Sequence, residues 1–77
     1  MLQNNIVASS AVAVSPSDTG EIRALALYVG TTGNLRVLTA AGDDVTFPNV
    51  PSGFLLPLEV RRVYSTSTTA SNVVALR

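Results

Sequence analysis

Apolar and polar positions alternate along most of this chain, and short alternating runs are what half-buried β-strands require. In Ala24-Leu25-Ala26-Leu27-Tyr28-Val29, Leu25, Leu27 and Val29 fall on one face, and Ala24, Ala26 and Tyr28 on the other. Both faces are apolar, as in a strand covered on each side by a second sheet or a neighbouring subunit. Alanine and leucine also favour helix. The run is short and meets Val29-Gly30, however, so a strand is expected.

Gly30-Thr31-Thr32-Gly33-Asn34 offers residues that tolerate positive φ, which predicts a tight hairpin. Leu35-Arg36-Val37-Leu38-Thr39 then reads as the return strand, with Leu35, Val37 and Thr39 on one face. Ala41-Gly42-Asp43-Asp44 is a second turn, and Val45-Thr46-Phe47 a short strand stopped by Pro48. Asn49 to Gly53 is a loop whose prolines fix φ and remove donors. From Phe54 to Leu58 the path is extended, but Pro57 cannot donate to a ladder, so an edge or bulged strand is expected. Between Glu59 and Ser65, Val60, Arg62 and Tyr64 alternate with Arg61 and Val63. A Thr/Ser-rich loop follows, and Asn72 to Leu76 is the last strand.

Ile6 to Val14 is a further strand candidate, followed by the loop Ser15-Pro16-Ser17-Asp18-Thr19-Gly20. The pattern predicts an all-β fold: a small antiparallel β-sandwich or partly open barrel of six to seven short strands. Residues 1–14 form an N-terminal arm or first strand, and 15–77 a single β domain. Leu25, Leu27, Val29, Leu38, Val60 and Val63 are the expected core.

Composition sharpens this picture. A chain of 77 residues buries only about 60–65% of its unfolded surface, and domains this small commonly need an extra source of stability. Cysteine and histidine are both absent, which excludes disulfides and thiolate or imidazole zinc sites. The chain is 47% hydrophobic and only 13% charged, about half the usual charged share. Oligomerisation is the remaining way to stabilise it. Five arginines balance five carboxylates. Without the basic excess of a duplex binder, nucleic acid is not an expected partner. The basic pair Arg61-Arg62 would point to opposite faces of a strand. No run reaches the ~18 apolar residues of a membrane helix. No cation precedes Arg23, so a signal peptide's basic n-region is missing.

Candidate chemistry is sparse. Asp43-Asp44 lacks the spacing of a cation loop and reads as a solvated hairpin tip. Gly30-Thr31-Thr32-Gly33 lacks the lysine of a phosphate loop, because the chain has none. The Ser/Thr run from Ser65 to Ser71 has no histidine or lysine to activate a nucleophile. No catalytic, cofactor or metal residue is expected. Subunit or partner contacts are assigned instead to Tyr28, Arg36, Phe54, Leu55, Leu56, Leu58, Arg61, Arg62 and Tyr64. Aromatics and arginines are enriched at interfaces, and Arg36, Arg61 and Arg62 could pair with Glu59, Asp43 or Asp44 of a neighbour. A carbohydrate-binding module using Tyr28, Tyr64 or Phe54 is the competing class.

Several segments, in order, carry a family likeness. They are Ser15-Pro16-Ser17-Asp18, Arg23-Ala24-Leu25, Leu27 to Gly33, Ala41-Gly42, Val45 to Gly53, Leu55 to Val63, the Thr/Ser stretch and Val73-Val74-Ala75-Leu76. In this order the chain resembles the spike base protein family of gene transfer agents and related tailed phages, over most of its length from Val14 onward. The resemblance implies a non-enzymatic virion protein that assembles as a ring on the capsid, at the vertex, and carries a spike or fibre. Its implied partners are copies of itself (a pentamer, with a trimer the alternative), the major capsid protein, and a spike or fibre protein. The alternatives within this class are a decoration (cement) protein and a tail or fibre connector. Assembly would take place in the bacterial cytoplasm.

Overall fold

The computed structural model describes residues 8–77, so the Ile6–Val7 part of the first strand candidate lies outside the described residues. Seven strands follow in chain order: β1 (Ala11–Ala13), β2 (Ala26–Thr31), β3 (Gly33–Thr39), β4 (Asp44–Val50), β5 (Phe54–Leu56), β6 (Val60–Val63) and β7 (Ser71–Leu76). They form two antiparallel sheets, one of four strands in the order β1-β7-β2-β5 and one of three in the order β4-β3-β6. The all-β architecture read from the alternation is what the chain adopts.

Both sheets contribute alternate residues to one core. Leu27 and Val29 come from β2, Leu35 and Val37 from β3, Val60 and Val63 from β6, and Val73 and Ala75 from β7. Each fully buried valine or leucine is worth roughly 1.5–3 kcal/mol. Two expected core members are displaced: Leu25 and Leu38 are only half-buried. Leu38 lies between the buried Val37 and Thr39, so the period of two that buries its neighbours turns it outward. Leu25 precedes β2 and donates its N–H to Leu76 at 2.8 Å, outside the inner row.

The predicted hairpin between β2 and β3 does not form, because the two strands belong to different sheets. Gly30 to Gly33 is instead the corner where the chain crosses the core. A Cβ at Gly30 would stand 2.7 Å from the Asn72 carbonyl oxygen, and one at Gly33 would meet the Ala70 backbone nitrogen, with the Thr69 carbonyl carbon at 2.6 Å. These glycines permit close backbone approach and are not needed for positive φ. The predicted turn at Gly42 is a true hairpin between β3 and β4, with Gly42 at φ +100°.

Two strands depart from simple alternation. In β6, Thr39 faces Val60 while Leu38 faces Arg62 and Val37 faces Val63. Arg61 is therefore the extra residue of a bulge, and Val60 and Val63 both reach the core although three apart. In β4 the strand does not stop at Pro48 but continues to Val50. Gly33 pairs with Val50 and Leu35 with Phe47, so the β4 side is longer by one residue. Asn49 takes φ 54° there, and its N–H reaches the Asn34 Oδ1 at 3.0 Å. β4 is an edge strand, where proline costs no ladder bond if its nitrogen faces outward.

Candidate assembly surface

The outward face of the four-stranded sheet carries no charged residue in its two central rows. Ala13, Val74, Tyr28 and Leu55 stand side by side across β1, β7, β2 and β5, and Ala11, Leu76 and Ala26 form the adjacent row. Tyr28 is 41% and Leu55 50% exposed, while Val74, Leu76 and Ala26 are half-buried. At one end this face deepens into a groove of about 860 Å³ lined by Ala8, Ala11, Leu25, Ala26, Leu55 and Leu76, with Glu59 its one charged lining residue. Phe54, 40% accessible, lies at the β5 edge opposite Val29, in the inward register and not in the row of Tyr28 and Leu55. Contiguous apolar surface of this kind is uncommon on the exterior of a small soluble domain.

The outward face of the three-stranded sheet is built differently. The Arg36 guanidinium donates from Nε to Asp44 Oδ1 at 2.9 Å and from Nη2 to Oδ2 at 2.8 Å, a bidentate pair across β3 and β4. The hydrogen bond to Arg36 holds the Asp44 carboxyl below its ordinary value, and the same bond raises the Arg36 pKa. Arg36 also lies 4.0 Å from the Tyr64 ring centroid, and Arg62 lies 5.4 Å from it. Arg62 donates from Nε to the Gly20 carbonyl at 3.0 Å. Asp18 accepts the Thr66 hydroxyl at 2.6 Å and the Ser65 and Thr66 N–H groups at 3.0 Å each. Those bonds, led by the Thr66 hydroxyl, lower the Asp18 pKa.

The nine residues assigned to contacts thus separate into three groups. Tyr28 and Leu55 lie exposed on the bare apolar face, while Phe54 is exposed at the β5 edge in register with the buried Val29. Leu56 is buried in the core and Leu58 packs half-buried against it, which leaves them little surface to offer. Their inward placement follows from β5 pairing with β2, where Leu56 stands opposite the buried Leu27. Arg36, Arg61, Arg62 and Tyr64 belong to the opposite side and find partners within the chain. Arg36 pairs with its own Asp44, and Arg61 Nη2 lies 3.2 Å from Glu21 Oε2. Arg62 comes to 3.9 Å of the same Glu21 oxygen. The expected divergence of Arg61 and Arg62 is overturned, since the β6 bulge lets both arms converge on one carboxylate. Ala11, Ala13, Ala26, Val74 and Leu76 were missed as surface residues. Their signal was the uncharged alternation of Ala11-Val12-Ala13-Val14 and Asn72-Val73-Val74-Ala75-Leu76, apolar on both faces.

No protein-family profile matches the chain, and no curated protein does. Among solved structures, a chain of the capsid of a native GTA (gene transfer agent) particle, computed with C5 symmetry, is similar. It is 35% identical, the match covers 91% of this chain and 83% of that one, and the TM-score is 0.81. Identity and coverage at that level make the two chains relatives, and this chain belongs to the family of GTA capsid-related proteins.

Proposed function

We propose that this chain is a non-enzymatic structural protein of a phage-like particle, forming a cyclic homo-oligomer on the capsid as the base of a head spike or fibre. The observation that carries the reading is the bare outward face of the four-stranded sheet, on a chain whose relative is part of a capsid. An all-Ala/Val/Leu/Tyr face of this kind is stabilised when a neighbour covers it. A small core with no disulfide to reinforce it supplies the need for such cover. Five copies are favoured, with three the alternative, as the family resemblance implies. The capsid vertex is the favoured address, and the major capsid protein and a spike or fibre protein are the favoured partners.

Size-exclusion chromatography with light scattering tests the oligomer: a mass five times that of the chain is expected, and a stable monomer overturns the reading. Mass spectrometry of purified particles tests the address, because absence of the chain from them removes the virion role.

A further inference from the structure

We infer that the edge of β1, which none of the described residues covers, is a docking site for one extended, uncharged strand supplied by a different protein of the particle shell. The inference rests on the cyclic assembly proposed above and says how that assembly is held. Ser10 exchanges hydrogen bonds with Arg77, and Val14 N donates to the Val73 carbonyl at 2.9 Å. In an antiparallel pair the bonded residues alternate, so Ser10, Val12 and Val14 face β7 while Ala11 and Ala13 direct their N–H and C=O groups outward. All three residues of β1 are exposed. From Ser9 to Ser15 the edge has neither charge nor proline.

The other three sheet edges are obstructed. On β6 the outer side is taken: Ile22 N donates to Arg61 O at 2.9 Å, Ala24 and Val60 bond both ways, and Ser17 N reaches Val63 O at 2.8 Å. On β4, Tyr64 N donates to Arg36 O, so Arg36 faces β6 and its neighbours Leu35 and Val37 face β4. Phe47 and Val45 then face β3, which leaves Asp44, Thr46 and Pro48 on the free edge. That edge has a charge at one end and a missing donor at the other. β5 is three residues long and meets Pro57. Natural sheets block their edges by these means, and an edge left flat and uncharged is a template for another strand.

The described strands of a second copy do not fit this edge. Pairing β1 with β1 generates a two-fold, which does not continue around a ring, and the remaining edges of a neighbour are the obstructed ones. The occupant is therefore a strand from another shell protein, added by main-chain hydrogen bonds. It has no charge, because Ala11 and Ala13 offer none in return, and no proline where it faces β1. Its outer side chains extend the row Ala13, Val74, Tyr28 and Leu55.

Ala13→Pro tests this, since it removes an outward donor and no bond to β7. The variant is expected to keep the wild-type oligomer mass in light scattering while its copies per purified particle fall at least tenfold. Unchanged occupancy overturns the proposal, and so does loss of oligomer mass, which would assign the edge to a second copy. Amide exchange of the unmodified protein provides a check that needs no variant. Exchange at Ala11 and Ala13 is expected to slow at least a hundredfold in the particle relative to the free protein, and equal rates overturn strand docking. A wild-type monomer in solution would remove the ring, whereas the exchange rates in the particle would still decide the strand.

Discussion

The two outward faces of this small domain solve the problem of surface in opposite ways. Across β4, β3 and β6, charges are placed so that each finds a partner within the chain: Arg36 with Asp44, Arg61 with Glu21, Arg62 with Gly20 and the Tyr64 ring. Across β1, β7, β2 and β5 the corresponding positions are Ala, Val, Leu and Tyr, with none of the described residues covering them. A face whose polar groups are already paired gains little from a partner, since a new contact must first break or desolvate those pairs. A bare apolar face gains from any cover that removes it from water. The difference teaches where uncovered apolar surface lies, and four of the nine expected contact residues stand on the other, paired face.

The largest effect should come from placing a charge on the bare face. Leu55→Asp is expected to weaken self-association by at least a hundredfold while leaving the folded monomer intact, as read by light scattering and circular dichroism. A carboxylate covered without a partner is what association would have to tolerate. An unaltered oligomer would place the contact elsewhere.

Next comes the corner that keeps the two faces apart. Gly33→Ala puts a methyl group against the backbone of Thr69 and Ala70, and overpacking of this kind costs about 1–3 kcal/mol. Urea unfolding should report it as a lower midpoint. Phe54→Ala, at the exposed β5 edge in register with Val29, is expected to weaken association several-fold in the same light-scattering assay, with little change in the unfolding midpoint. Indifference there would narrow the contact to Tyr28 and Leu55.

The paired face should respond least. Arg36→Ala removes a partly exposed ion pair and a stacking contact, so it should lower the melting midpoint by a few degrees at most and leave oligomer mass unchanged. Acid acts on the same face. The Asp18 and Asp44 carboxyls are held below their ordinary value of 3.8, so their contribution is complete above that pH. It is lost as pH falls through the lower native values. A melting series from pH 5 to pH 2 should show a loss that is reduced in Asp44→Asn.

Much of the fold was legible from period alone. The run Leu35-Arg36-Val37-Leu38-Thr39 shows its inner face directly, and Gly42 with Asp43 shows its turn. Period failed where a bulge inserts a residue. Val60 and Val63 cannot both face inward on a regular strand, and the extra Arg61 is visible only once β3 is laid beside β6. It failed again at Gly30 and Gly33, because a glycine permitting positive φ and one permitting close approach are the same letter. At the candidate surface, Tyr28, Phe54 and Leu55 were legible as large apolar groups on short strands. The alanines of β1 and the outward residues of β7 were not, since small and alternating residues look the same whether or not a neighbour covers them.

By itself, the sequence determined the class of structure and the poverty of its chemistry. Alternation specifies strands, and a chain without cysteine, histidine or lysine lacks the usual bases and thiols wherever its residues are placed. Tertiary structure alone decided which small residues stand beside Tyr28 on the uncovered face. A strand with two apolar faces is compatible with burial on either side. Only the pairing of β1, β7, β2 and β5 set Ala13, Val74 and Leu55 in one outward row with Tyr28.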